Sequence, residues 1–118
     1  MENLERFYSS VGADATEVIS RLGGNPALVK RFLIKFKADD SYSTLCLTLN
    51  NDDTESAFRA AHTLKGICAN LGLQRLFEES SVITELLRGG EAEKAKTALP
   101  ALKREYEQVL VALNDLDE

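Results

Sequence analysis

The only histidine of the chain, His62, lies in a helical stretch together with a lysine and a glycine one turn further on. Neutral imidazole is a good nucleophile near physiological pH, so an exposed histidine can accept a phosphoryl group. Lys65 lies three residues later, where its ammonium group could stabilise phosphoryl oxygens. Gly66 lies four residues later and is therefore a neighbour of His62 on the helix surface. These three residues form the first candidate site.

An apolar stripe on the same helical stretch predicts which way His62 faces. At about 100° per residue, His62 lies roughly 140° from the centre of that stripe, so we expect its side chain to face solvent. Ala69 and Arg59 lie on the side of His62, whereas Phe58 lies at the edge of the stripe. Phe58 is therefore either a half-exposed docking aromatic or an ordinary packing residue. The stripe consists of Ala57, Ala61, Leu64, Cys68 and Leu71.

Gly66 is unusual because the helical pattern continues past it for another turn. A glycine inside a helix destabilises it by about 1 kcal/mol relative to alanine, and no turn is needed at this position. The missing side chain leaves room beside His62, which suits a site that must receive a bulky dianion. Lys65 can supply charge to such a group, while Arg59 is either a second cation of the site or part of a solvated face.

Turn and capping signals divide the chain into helices with short connections. Capping-box spacings begin at Asp14 and Asp52, and glycines at 23–24, 72 and 89–90 end helical patterns. Strand-like alternation is missing from the sequence, and short connections favour antiparallel neighbours. We therefore predict an all-α fold: an antiparallel up-down four-helix bundle with one or two short N-terminal helices.

We expect a single domain over residues 1–118, with a short N-terminal helical segment at 1–24 and the bundle at 25–118. The first long segment runs from Pro26 to about Leu49, and its apolar stripe is interrupted at Asp39–Ser41, where either a shift of the apolar face or a kink is expected. Pro100 removes a backbone donor from the last helix, which predicts a bend or a late helix start there.

Composition and charge exclude several classes of protein. The formal net charge is −5, whereas nucleic-acid binding needs a basic face. No apolar stretch is long enough to span a bilayer, and residues 1–6 lack the basic and apolar regions of a secretory signal. Cys46 and Cys68 have no metal-like spacing, so we expect reduced thiols and no metal site. These features favour the cytoplasm by default.

The run HTLKGICANLG, residues 62–72, resembles the signature of histidine-containing phosphotransfer (HPt) domains. That signature is histidine, any residue, an apolar residue, lysine and glycine, followed shortly by an apolar residue and a second glycine. Members of the family are helical bundles of about this length, with the histidine exposed midway along one helix. Ile67 and Cys68 depart from the small residues that are common after the family's glycine. Both lie in or beside the core stripe, so the departure affects packing more than the site.

The resemblance implies a function. His62 would accept phosphate from the aspartyl-phosphate of a receiver domain, for example that of a hybrid sensor histidine kinase, and pass it to a response-regulator receiver. Lys65 would steady the phosphoryl group, and Gly66 would keep the approach clear. The protein would be a phosphoryl carrier with no kinase domain and no cofactor of its own, since Mg²⁺ would belong to the receiver. We expect a monomer, and the initiating methionine and complete bundle favour a free-standing protein.

The turn at Gly72 also predicts which residues face His62 from the next helix. In an antiparallel hairpin, a residue ten before the turn lies opposite one about ten after it, which places residues 82–85 near His62. Candidates for a neighbouring hydrogen bond or for docking are Ser81, Thr84, Glu85 and Arg88.

Three other functions are weighed against phosphotransfer. A histidine-kinase dimerisation module would usually have an acidic residue after the histidine, where this chain has Thr63, and would need an ATP-binding domain. A sugar-transport phosphocarrier would need strands. A non-catalytic helical adaptor with an idle surface histidine stays open, and it would keep partner binding when His62 is replaced by glutamine.

Overall fold

Helices follow one another along the whole described chain. The computed structural model describes residues 2–117, and regular secondary structure in that range is entirely helical, which confirms the all-α class. Numbered in chain order, the helices are α1 (Glu2–Ser10), α2 (Ala15–Arg21), α3 (Pro26–Phe36), α4 (Ser41–Asn50), α5 (Thr54–Leu71), α6 (Gln74–Arg88) and α7 (Ala92–Asp117).

The long helical segment expected from Pro26 to about Leu49 is two separate helices, α3 and α4. Residues 37–40 separate them, so the expectation of one continuous segment is wrong. The physical cause is local: the Asp39 carboxylate accepts a hydrogen bond from the Ser41 backbone N–H at 3.0 Å. Such side-chain bonds compete with the helical backbone pattern and favour a new helix start.

α5 carries His62 and has a defined start and end. Its N-cap residue, Asp53, accepts a hydrogen bond from the backbone N–H of Ser56 at 3.2 Å. Hydrogen bonds from the hydroxyl and backbone of Ser56 lower the pKa of Asp53, because they stabilise its charged form. The helix ends at Gly72, which adopts a left-handed conformation with φ of 71°. A side chain at this position would also collide with Val18 of α2. Both the left-handed backbone conformation and the lack of space therefore require glycine at position 72.

α5 packs between α4 and α6, and α6 packs against α7. The last helix runs unbroken through Pro100, so a late start there is wrong: α7 begins at Ala92. Tyr42 of α4 stacks on Tyr106 of α7, with ring centres 3.9 Å apart, and this contact joins the first and last of these four helices.

The N-terminal helices are anchored on the C-terminal end of α5. The buried hydroxyl of Tyr8 donates a hydrogen bond to the Leu71 carbonyl at 2.7 Å. Burial raises the pKa of Tyr8, so this hydroxyl stays protonated and remains a donor. At the C-terminal end of α1, Arg75 of α6 donates a hydrogen bond to the Ser10 carbonyl.

Leucine and other aliphatic side chains from every helix form one contiguous core. Burial of this apolar surface is the main stabilising contribution to such a fold. Among residues 2–117, no helix combines the length and hydropathy needed to cross a membrane. Core side chains with essentially no exposure include Val29, Leu33, Leu45, Leu64, Leu76, Ile83, Leu102 and Leu113.

Candidate functional site

His62 lies on the outer face of α5, with its side chain exposed. The apolar stripe of the same helix is buried, and its innermost members, Ala57, Ala61, Leu64 and Cys68, have no exposed surface. The prediction from the helical wheel is therefore confirmed: the stripe faces the core and the histidine faces solvent. An exposed imidazole on a rigid helix is accessible to a phosphoryl donor without any rearrangement of the backbone.

Gly66 leaves open space beside His62. A Cβ built on Gly66 would meet no atom within 4 Å beyond its own helix. Close packing against another helix therefore does not explain the glycine, although it costs about 1 kcal/mol of helix stability relative to alanine. The open space lies one turn after His62 on the same face, where a bulky group attached to the imidazole needs room.

Lys65 points towards α6, where it meets Glu85. The Lys65 Nζ atom lies 4.0 Å from a carboxylate oxygen of Glu85. This pair places Glu85 on the side of α6 that faces α5, whereas the contact is with Lys65 and not with His62 itself. The distance is at the limit of an ion pair, and the Lys65 side chain is 31 % exposed, so its ammonium group is held only loosely.

Arg88 links Glu85 to the aromatic residue that precedes His62. Its Nε donates hydrogen bonds to both carboxylate oxygens of Glu85, at 3.1 and 3.4 Å. The guanidinium carbon lies 5.0 Å from the ring centre of Phe58, a distance typical of a cation–π contact. The Phe58 ring is in turn 6.0 Å from the His62 ring. Phe58 is half-buried and packs against the core, as the packing alternative predicts, while a docking role for its exposed part stays a prediction.

Arg59 is engaged on the other side of α5. It donates hydrogen bonds to the Glu55 carboxylate at 2.9 Å and to the Ser56 hydroxyl at 3.1 Å, both earlier on the same helix. It also lines a shallow polar cleft between α4 and α5 that includes Thr44 and Thr63. The structure therefore directs Arg59 towards the N-terminal end of α5, away from the open space at Gly66.

The sequence model of the Hpt domain family matches residues 28–112, from α3 to near the end of α7. This chain belongs to the Hpt domain family. Hpt domains are phosphocarriers, not kinases, and they act in phosphorelays with receiver domains and kinases. A comparison with curated proteins finds no match, and neither does a comparison with solved structures.

α1 and α2 lie outside the family match, yet α2 supports the end of the site helix of this Hpt domain. Arg21 donates hydrogen bonds to the carbonyls of Ala69 and Asn70, at 3.2 and 3.3 Å. A cation is favourable at the C-terminal end of a helix, where carbonyls lack helical partners. Ala69 is exposed on the face of His62, as predicted. Sequence reasoning missed Arg21 because a basic residue at the end of a short helix does not indicate which distant carbonyls it meets.

Two of the α6 candidates are occupied inside their own helix. Thr84 has no exposed surface, and its hydroxyl donates to the Ser80 carbonyl at 2.7 Å. The expectation that Thr84 offers a hydrogen bond or docking surface beside His62 is therefore wrong, because the α6 wheel turns it into the core. Ser81 is partly buried and donates to the Phe77 carbonyl at 2.8 Å.

The cysteines take no part in this surface. Cys68 is in the core, where burial raises the pKa of its thiol to about 12. A thiol of that pKa stays protonated and is a poor metal ligand. Within the described residues, no group of three or more His, Cys, Asp or Glu side chains is arranged to hold a metal ion.

Proposed function

We propose that this Hpt domain accepts a phosphoryl group on His62 from the aspartyl-phosphate of one receiver domain and passes it to an aspartate of another. In the first transfer, the unprotonated imidazole nitrogen attacks phosphorus and an N–P bond forms. The P–O bond to the aspartate breaks, and the carboxylate leaves with the electron pair. The second ring nitrogen keeps its proton. The onward transfer is the same step run towards a second carboxylate.

The proposal rests on the environment of the His62 side chain. The imidazole is exposed, the position one turn later is empty at Gly66, and Lys65 lies three residues after His62 on the same helix. Arg88 of α6 contacts Phe58, whose ring centre is 6.0 Å from that of His62. Phosphoryl transfer needs little covalent work from the protein, so positioning and charge are the main contributions. This surface offers both to a group that carries a charge of about −2.

Each residue then has a separate role. His62 is the nucleophile, and Lys65 stabilises the phosphoryl oxygens electrostatically. Gly66 and Ala69 have no bulky side chain, so a receiver domain can approach His62 closely. Phe58 with Arg88 forms the apolar and basic rim that meets the receiver, while Mg²⁺ is supplied by the acidic pocket of that partner.

The remaining expectations belong to the same proposal. We place the up-down four-helix bundle at α4 to α7, with α1 to α3 as additions at its end. An acidic protein with a small basic and apolar patch is complementary to an acidic receiver pocket ringed by apolar residues. The encounter is transient, because the carrier must leave one partner for the next. Cytoplasmic localisation and a monomeric state stay predictions of the sequence.

The proposal is tested by incubating the protein with phosphorylated receiver domains from several response regulators and recording its intact mass. We expect a gain of one phosphate that is lost in acid and stable in base, as a P–N bond requires. The matched control, His62→Gln, must gain none. A folded protein that gains no phosphate from any receiver would support the adaptor function instead.

A further inference from the structure

Glu85 lies between the two cations that adjoin His62. Its carboxylate accepts two hydrogen bonds from Arg88, the nearer at 3.1 Å, and lies 4.0 Å from the Lys65 ammonium. Lys65 comes from α5 and Arg88 from α6, and among residues 2–117 Glu85 is the acidic group that contacts both of them. The contacts make a small network of two positive charges and one negative charge beside a histidine.

The ion pairs of Glu85 with Lys65 and Arg88 are weak, which allows both cations to change partners. The side chains of Glu85 and Arg88 are 57 % and 53 % exposed, and exposed ion pairs contribute little because water and salt screen them. A phosphoryl group on His62 would bring about twice the negative charge of one carboxylate. It can therefore draw Lys65 and Arg88 away from Glu85 with little opposition. Exposed side chains of this length change rotamer within nanoseconds, so the two cations can change partners during a transfer.

We infer that Glu85 is a positioning residue that holds Lys65 and Arg88 beside unphosphorylated His62 and competes with the phosphoryl group for them. The inference rests on the proposed function, since it assigns a regulatory contribution to the same site. Glu85 does not touch the reacting atoms and acts only through the two cations. Its carboxylate neutralises part of the charge of both cations, so it slows the arrival of phosphate on His62 and weakens their hold on phosphate that is already bound.

A small anionic donor separates this effect from receiver docking. The nitrogen of phosphoramidate already carries three protons at neutral pH, so when its phosphoryl group moves to histidine, ammonia leaves with the electron pair of the broken P–N bond. The initial rate at which the protein gains one phosphate is measured at low salt by intact mass. We expect Glu85→Gln to raise this rate about threefold, because exposed charge pairs typically change an equilibrium or barrier by a factor of this size.

Two comparisons show whether Glu85 acts through the cations. In a background with Lys65→Met and Arg88→Met, adding Glu85→Gln should change the rate by less than about 1.5-fold, because the partners through which it acts are gone. At roughly 1 M salt the threefold effect should disappear in the original background, since the Debye length falls to about 3 Å. The matched control is Glu78→Gln, which removes the same charge from an exposed position two turns earlier on α6.

The outcomes are distinct. Acceleration by Glu85→Gln that depends on the two cations and on low salt supports the inference. An equal acceleration in the double-methionine background, or an equal effect of Glu78→Gln, overturns it and reduces Glu85 to general surface charge. A rate unchanged by Glu85→Gln also overturns it, while phosphate on His62 still upholds the proposed function. If the wild-type protein gains no phosphate on His62 from phosphoramidate or from receivers, both ideas fail.

Discussion

The ring of Phe58 lies one helical turn before that of His62, with ring centres 6.0 Å apart and planes inclined by 39°. The guanidinium carbon of Arg88 lies 5.0 Å from the centre of the same Phe58 ring. The Phe58 ring of α5 therefore helps to position the guanidinium group of Arg88 of α6. The position of Arg88 relative to the histidine depends on this contact and on Glu85.

Removing the aromatic platform should slow transfer from a receiver domain. Phe58→Leu keeps apolar packing but loses the cation–π contact, which contributes about 0.5–1 kcal/mol at exposed sites. We expect the rate to fall about threefold, measured by rapid-quench transfer kinetics with a phosphorylated receiver. Arg88→Lys keeps the charge but loses the planar stack, so it should give a similar decrease. Wild-type rates in both folded variants would contradict the role assigned to this pair.

Gly66 should separate stability from function. Gly66→Ala is expected to raise the free energy of unfolding by about 1 kcal/mol, because alanine favours the helix and its methyl group meets nothing nearby. Gly66→Leu should also fold, since the position is open, but its side chain fills the space beside His62. We expect it to reduce phosphate transfer at least about tenfold. Urea unfolding and transfer kinetics on the same samples measure the two effects.

If Gly66→Leu transferred phosphate at the wild-type rate, the clear approach would have no functional meaning. If Gly66→Ala lowered the free energy of unfolding, the conclusion that open space adjoins Gly66 would be wrong.

Asp53 should make part of the stability of α5 depend on pH. The pKa of its carboxyl is lower in the folded protein than its usual 3.8, so its contribution is present above about pH 4 and is lost as pH falls through the folded value. Asp53→Asn keeps an equally good N-cap but cannot titrate. We therefore expect wild type to lose urea stability relative to Asp53→Asn between about pH 5 and pH 3. A constant difference between the two proteins over that interval would contradict the assigned shift.

The Tyr8 hydroxyl tests whether the N-terminal helices are part of the same folding unit. Tyr8→Phe leaves the buried Leu71 carbonyl without this donor, which should cost about 1–2 kcal/mol of unfolding free energy. Tyr106→Phe, a partly buried tyrosine on α7, is the comparison for losing a phenol hydroxyl. Single, coincident transitions by circular dichroism and tyrosine fluorescence should accompany the loss. A Tyr8→Phe protein as stable as wild type would contradict a stabilising contribution from the hydrogen bond between Tyr8 and Leu71.

Much of this fold was predictable because the sequence marks its own helix ends. Gly72 ends α5 as the sequence predicts, through its left-handed conformation. The start of α5 was predicted only to within one residue, because the N-cap is Asp53 and not Asp52, where the capping-box spacing begins. The exposure of the His62 side chain was predictable as well. A long helix with a single apolar stripe buries that stripe, and His62 lies on the opposite side. These features depend on neighbours within a few residues.

The features that were missed depend on residues far apart in sequence. Thr84 was placed near His62 from the hairpin register alone, whereas the apolar pattern of α6 turns it into the core. The contacts of Arg21 with the end of α5 and of Arg88 with Phe58 require the relative rotation of two helices. That rotation is set by packing of the whole core, which spacing within one helix does not determine.

The most direct test of the central claim is return transfer. The protein is phosphorylated by a receiver domain, purified away from it, and mixed with an excess of the same receiver, now unphosphorylated and supplied with Mg²⁺. Intact mass of both proteins is followed with time. We predict that phosphate leaves His62 and appears on the receiver in equal amount, because a carrier must work in both directions. Phosphate that stays on the protein, or that also labels His62→Gln, would contradict a carrier role for His62.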